Sequence, residues 1–140
     1  MIRLEKYYTK EAGNVYRGKG ETNMSVLFVE YPKCSTCQKA KKWLDGHGVS
    51  YEERHIKEQN PSAEELRAWH EKSGLDIKKF FNTSGMLYKE MQLKDKLPGM
   101  TLEEKYTLLA SDGMLVKRPL LVTDETVLTG FKEAEWEKLL

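Results

Sequence analysis

Tyr31-Pro32-Lys33-Cys34-Ser35-Thr36-Cys37-Gln38-Lys39 is the stretch on which the reading of this chain turns. The apolar run Val26-Leu27-Phe28-Val29 before it reads as a buried strand. Ala40, Trp43 and Leu44 after it recur at helical spacing. The chain's 2 cysteines therefore sit where a strand turns into a helix. Cys34 falls at the helix N-terminus, where unpaired N–H groups and the helix dipole favour an anion. Lys33 and Lys39 add positive charge, and the combination is expected to lower the Cys34 pKa. Cys37, Ala40 and Leu44 share one face, with Trp43 beside them, and that face must pack inward. Cys34 is thus read as an attacking thiol and Cys37 as a buried resolving thiol. A C-x-x-C beside a strand–helix unit is a redox signal.

Three plainer readings compete. A zinc half-site needs further ligands. No second cysteine pair exists, and His47, His55 and His70 are not spaced as a ligand set, so no metal site is expected. A structural disulfide closing so short a loop removes little chain entropy. Two inert cysteines packed as small apolar residues stay open as an alternative.

The 140 residues suit one domain with a real core, and the net charge of +1 argues against direct nucleic-acid binding. No apolar run approaches the roughly 18 residues of a membrane span. No signal peptide is visible. A cytoplasmic, reducing compartment is expected, where C-x-x-C is more often catalytic than structural. Residues 1–23 show no sustained periodicity and are expected to be a poorly ordered N-terminal extension or tag. An arm using Tyr7, Tyr8 and Tyr16 is the alternative. The compact domain is placed at 24–140.

Beyond the cysteine helix, Gly46-His47-Gly48 is a helix stop, and Ser50 to Ile56 alternates as a second strand, parallel to the first. Ser62 and Glu65 have capping-box spacing, with Leu66 and Trp69 inward and Gly74 at the end. His70, in isolation, reads as a packed or solvated residue. Residues 75–97 read as two short helices around Asn82-Thr83-Ser84, with Phe80 and Phe81 in the core. Thr101 and Glu104 form another capping box, and Leu102, Tyr106 and Leu109 give the inward stripe. Leu120 to Val122 and Thr126 to Thr129 are two further strands joined by a hairpin-sized turn. A closing helix then faces Trp136, Leu139 and Leu140 inward. The fold class is α/β: a mixed four-stranded sheet with a helical insertion between strands 2 and 3.

This order, with a C-x-x-C at the first strand–helix junction and Pro119 before the third of these strands, resembles the thioredoxin-like fold. The sequence also resembles the arsenate reductase-related (ArsC/Spx) proteins. The residues that carry the likeness are 31–37, the insertion over 74–93, Lys117-Arg118-Pro119-Leu120, and Gly130-Phe131 before the last helix. The resemblance implies a cis Pro119 facing the active-site cysteine and bordering a partner groove. It implies an Arg118 guanidinium that stabilises the Cys34 thiolate and can bind an oxyanion. Lys33, Ser35 and Thr36 would complete the thiolate's surroundings. No bound cofactor is implied, only glutathione, glutaredoxin or thioredoxin as reductant.

Arsenate reductases of this type use three arginines around the oxyanion. By motif position, Asn82 and Gly130 stand where two of them would be, and Arg118 alone matches, so weak arsenate reduction is expected. The Spx-like branch keeps a C-x-x-C switch and binds the C-terminal domain of the RNA polymerase α-subunit, using a surface that includes a glycine. Gly74 matches that position, although a helix-ending glycine is the favoured reading of it. A thiol–disulfide oxidoreductase and a redox-sensing regulator are therefore the two functional expectations.

Overall fold

The computed structural model describes residues 4–9, 13–18 and 26–139. Two strands come first, β1 (Leu4–Thr9) and β2 (Gly13–Gly18), paired antiparallel as a hairpin of their own. The sequence reading places no element there, because neither run shows a sustained hydrophobic alternation. Backbone pairing needs no such alternation. Met24 and Leu140, both given a place by the sequence, lie outside the described residues.

The main sheet has four strands in the order β4-β3-β5-β6. They are β3 (Leu27–Glu30), β4 (Glu52–His55), β5 (Leu120–Val122) and β6 (Val127–Thr129). β3 and β4 run parallel, with α1 (Ser35–Gly46) as the crossover. β5 lies antiparallel to β3 and pairs antiparallel with β6. This is the thioredoxin-like arrangement the residue order predicts. Strand alternation sends successive side chains to opposite faces, and the core divides accordingly. Phe28 and Leu121 pack with Ala40, Trp43 and Leu44 of α1 and with Trp136 of α6 (Glu133–Glu137). Val29, Leu120 and Val122 pack on the other face with α2 (Ala63–Ser73) and α5 (Leu102–Ser111).

Both capping boxes form. The Ser62 and Thr101 hydroxyls accept the N–H groups of Glu65 and Glu104, whose carboxylates accept the Ser62 and Thr101 N–H groups in return. Gly74 ends α2 in the left-handed region at φ 67°. The insertion is more broken than two helices. It comprises a 3₁₀ turn (Ile77–Phe80), α3 (Met86–Glu90), α4 (Leu93–Lys96) and a second 3₁₀ turn (Leu97–Gly99). Phe80 and Phe81 are buried as expected. Leu102 is not: it is 44% exposed at the first position of α5, and the inward stripe consists of Tyr106 and Leu109. His70 bridges elements, with Nδ1 2.6 Å from the Tyr106 hydroxyl and Nε2 2.8 Å from the Leu75 carbonyl oxygen.

Candidate active site

The chain leaves β3 at Glu30 and turns through Tyr31, Pro32 and Lys33 into α1. The turn is held by Cys34 N–H donating to the Tyr31 carbonyl at 2.9 Å and by Gln38 Nε2 donating to the Pro32 carbonyl at 2.9 Å. Cys34 is the N-cap of α1, extended at φ −85° and ψ 121°. Its sulfur therefore sits beside the free N–H groups of the first turn. Cys37 is one turn further in and fully buried, whereas Cys34 is half-exposed. Both thiols are free.

The two sulfurs differ in acidity for stated reasons. Burial opposes the Cys34 thiolate, yet its pKa is lowered. The Cys37 N–H and thiol favour the charged form, and so does the Arg118 guanidinium with its charge. Cys37 is pushed up to about 12, first by burial and then by the neighbouring Cys34 and Glu30; the effect of the Tyr31 N–H only partly offsets this. Lys33 and Lys39, expected from sequence to share in lowering Cys34, are exposed side chains, and the main causes that lower it come from Cys37 and Arg118. Ser35 and Thr36 are exposed on the first turn of α1.

Arg118 comes from the segment entering β5. Its guanidinium carbon lies 5.1 Å from the Tyr31 ring centroid. Its Nε and Nη1 atoms are buried and have no hydrogen-bond partner among the described residues. Buried guanidinium donors in that state are costly, and an anionic group brought to them is held strongly. The Arg118–Pro119 peptide bond is cis, and Pro119 is buried. Asn82, at a position where the resemblance implies an arginine, is half-buried. Its N–H donates to the Leu115 carbonyl at 2.8 Å. Gly130, at the other such position, has φ 71°. Gly74 lies apart in sequence, exposed at the end of α2.

Sequence reasoning passed over Glu30. It alternates with Phe28 along β3 and so faces α1, where it is only 5% exposed. Lys41 of α1 and Glu53 of β4 stand near it, joined to each other by a 3.0 Å ion pair. The available signal was an acidic residue two positions after a core phenylalanine, just before the cysteine turn.

The ArsC family model matches residues 29–139. The chain belongs to the ArsC family. Within this family it is 61% identical over 115 residues to YusI of Bacillus subtilis, covering 82% of this chain and 98% of that protein. It is 31% identical to the regulatory protein MgsR of Bacillus subtilis, over 81% of this chain and 89% of MgsR. To the global transcriptional regulator Spx of Staphylococcus epidermidis it is 27% identical, over 84% of this chain and 87% of Spx. The crystal structure of an ArsC family-related protein from Bacteroides fragilis superposes with a TM-score of 0.81 at 59% identity, covering 83% of this chain and 98% of that one. The arsenate reductase from Vibrio cholerae superposes with a TM-score of 0.75 at 25% identity, covering 85% of this chain and 100% of that one.

Proposed function

We propose that this ArsC family chain is a thiol–disulfide oxidoreductase of the cytoplasm. Cys34 attacks a disulfide or oxyanion substrate and carries the covalent intermediate. Cys37 then displaces the product by closing an intramolecular disulfide, and glutathione, glutaredoxin or thioredoxin reduces the pair again. Arg118 stabilises the thiolate and the incoming anion, Pro119 borders the groove that receives the partner, and Lys33, Ser35 and Thr36 form its outer rim. The observation that carries this reading is the inequality of the two thiols. One is half-exposed at a helix N-terminus with a lowered pKa; the other is fully buried directly behind it with a pKa of about 12. The test is reduction of a small disulfide with each of the three reductants. Turnover should vanish in Cys34→Ser, and Cys37→Ser should accumulate a mixed disulfide at Cys34. Undiminished turnover in Cys34→Ser would overturn the reading.

A second reading is favoured by the kinship with MgsR and Spx, both regulators by name. On this reading the cysteine pair is a sensor, and the surface around Gly74 binds the C-terminal domain of the RNA polymerase α-subunit. A pull-down with that domain separates the two. Retention that changes with oxidation and is lost in Gly74→Arg supports the regulator, and no retention in either redox state rejects it.

A further inference from the structure

A pocket of about 170 Å³ opens between the helical insertion and α5, and none of its lining residues belongs to the cysteine turn. A cavity of about 150 Å³ takes up a benzene molecule, so this one has room for a single aromatic ring. Its floor is apolar. Ile77 comes from the first 3₁₀ turn, Phe81 from just after it, Tyr88 from α3 and Leu97 from the second 3₁₀ turn, and all four are buried. The Phe81 and Tyr88 rings meet edge to face, with centroids 6.3 Å apart.

The rim has the opposite character. Lys78, Lys94 and Lys105 line the pocket from three different elements, the first 3₁₀ turn, α4 and α5. None of their ammonium groups forms an ion pair or a hydrogen bond among the described residues. Asp76 is the one acidic side chain in the described lining, and it is engaged: its Oδ1 accepts the Lys78 N–H at 2.9 Å. Charges of one sign around an apolar cleft concentrate ions of the other sign. Tyr88 supplies a second, independent signal. It is only 6% exposed, yet its hydroxyl has no hydrogen-bond partner among the described residues. Buried polar groups are nearly always paired. An unpaired hydroxyl on a pocket wall is a ready donor to an oxygen brought there.

We propose that this pocket binds a small, one-ring aromatic carboxylate. The ring lies on the floor against Phe81 and Tyr88, and the carboxylate meets the lysine rim and the Tyr88 hydroxyl. Each half of the lining asks for the other half of the ligand. Inorganic phosphate satisfies the lysines but leaves the apolar floor wet. A neutral aromatic covers the floor but leaves the lysine charge without a counter-ion. Few polar groups over an apolar base is the usual make-up of a small-molecule site, and the volume limits this one to a single ring.

The experiment titrates the full chain with phenylacetate and follows the backbone amide signals of residues 76–105 by NMR. These signals should shift and saturate with a Kd of about 1 mM or tighter, an ordinary affinity for a ligand of this size. Phenylacetamide has the same shape without the charge and should bind roughly tenfold more weakly, as should inorganic phosphate. Lys78 and Lys94 are exposed, so a Lys78→Gln/Lys94→Gln double variant keeps its fold. It should lose roughly tenfold in affinity for phenylacetate and none for phenylacetamide, a split that a merely structural effect would not produce. Tyr88→Phe should weaken phenylacetate by about fivefold. Shifts that do not saturate, or that fall outside this segment, overturn the proposal, and that measurement needs no variant. Phenylacetamide binding as tightly as phenylacetate removes the lysines from the site and overturns it too. So does phosphate binding as tightly as phenylacetate, which removes the floor, or wild-type affinity in the double lysine variant.

Discussion

The Arg118 guanidinium carbon stands 5.1 Å from the centre of the Tyr31 ring. This contact ties the segment entering β5 to the turn that presents Cys34. A cation over an aromatic face is worth about 0.5–2 kcal/mol depending on desolvation, enough to bias where the guanidinium points. Arg118 is thereby held in reach of the Cys34 sulfur, and its Nε and Nη1 atoms have no partner among the described residues.

Cys34 reactivity should depend on that arginine. Iodoacetamide alkylation of Cys37→Ser protein, followed against pH, should inflect below the ordinary thiol value of about 8.5. Arg118→Gln should move the inflection upward. Losing one charge-assisted hydrogen bond of about 1.5 kcal/mol corresponds to roughly a tenfold lower rate below the inflection. An unchanged profile would show that Arg118 does not act on the thiolate.

Cys37 should behave as the opposite of Cys34. In Cys34→Ser protein the push from Cys34 is gone, but burial, the largest cause of the raised Cys37 pKa, still opposes the thiolate and blocks access as well. Alkylation should then proceed only as fast as the protein opens, and urea should release it. Rapid labelling of the folded variant would contradict the burial argument.

Glu65 offers a stability test with a defined sign. Its carboxylate accepts from Arg54 Nη1 at 2.6 Å and Nη2 at 2.9 Å, and from the Ser62 N–H at 3.0 Å. Arg54, and then Ser62 against the opposing effect of burial, hold its folded-state pKa below the usual carboxylate value. The stabilisation is therefore complete above the unfolded-state pKa of about 4.3 and is lost as pH falls through the lowered folded value. Glu65→Gln should cost about 1 kcal/mol at pH 7, since the pair is part-exposed and the box modest. The difference from wild type should shrink in urea titrations below about pH 4.

Gly113→Ala should destabilise far more. A Cβ there would lie 2.1 Å from the Ile56 carbonyl oxygen and 2.6 Å from Asn60 Oδ1. Backbone must move to admit it, and a cost of about 2 kcal/mol or more is expected from the urea midpoint. A shift under about 0.5 kcal/mol, the range of ordinary surface changes, would show that this approach is not rigid.

Arsenate turnover by the wild-type protein should be slow, because of the three positions where the resemblance implies an oxyanion-binding arginine only Arg118 carries one. Asn82→Arg should raise it by roughly tenfold for one added charge-assisted hydrogen bond. The assay pairs arsenate with glutaredoxin or thioredoxin. Fast, Cys34-dependent turnover without the substitution would refute the electrostatic argument.

How far the sequence carried these features depended on whether their cause was local. The cysteine turn, the two capping boxes and the left-handed Gly74 are set by residues within four positions of one another, and each was readable. Leu102 misled because it stands four residues before Tyr106, on the same stripe. As the first residue of α5 it is not covered as Tyr106 is. Arg118, one cause of the Cys34 shift, came from the family resemblance and not from local spacing, since it is a neighbour of Cys34 only after folding. Glu30 escaped notice for a related reason. A charge at a strand end reads as solvated, and its burial exists only once α1 and β4 close over it. β1 and β2 left no trace in the hydrophobic pattern, and it is the backbone pairing that identifies them.

Gly130 sits at φ 71°, and a Cβ built on it would stand 3.2 Å from Lys117 Cε. The lysine tail can yield, but the backbone angle penalises any L side chain by about 1–2 kcal/mol. Asn82 and Gly130 are therefore unequal starting points for descent toward an oxyanion clamp. One position is open to a mutational step, while the other carries a conformational toll before any arginine there could be selected. A lineage holding this glycine has its evolutionary routes narrowed by main-chain geometry, apart from whatever substrate it meets.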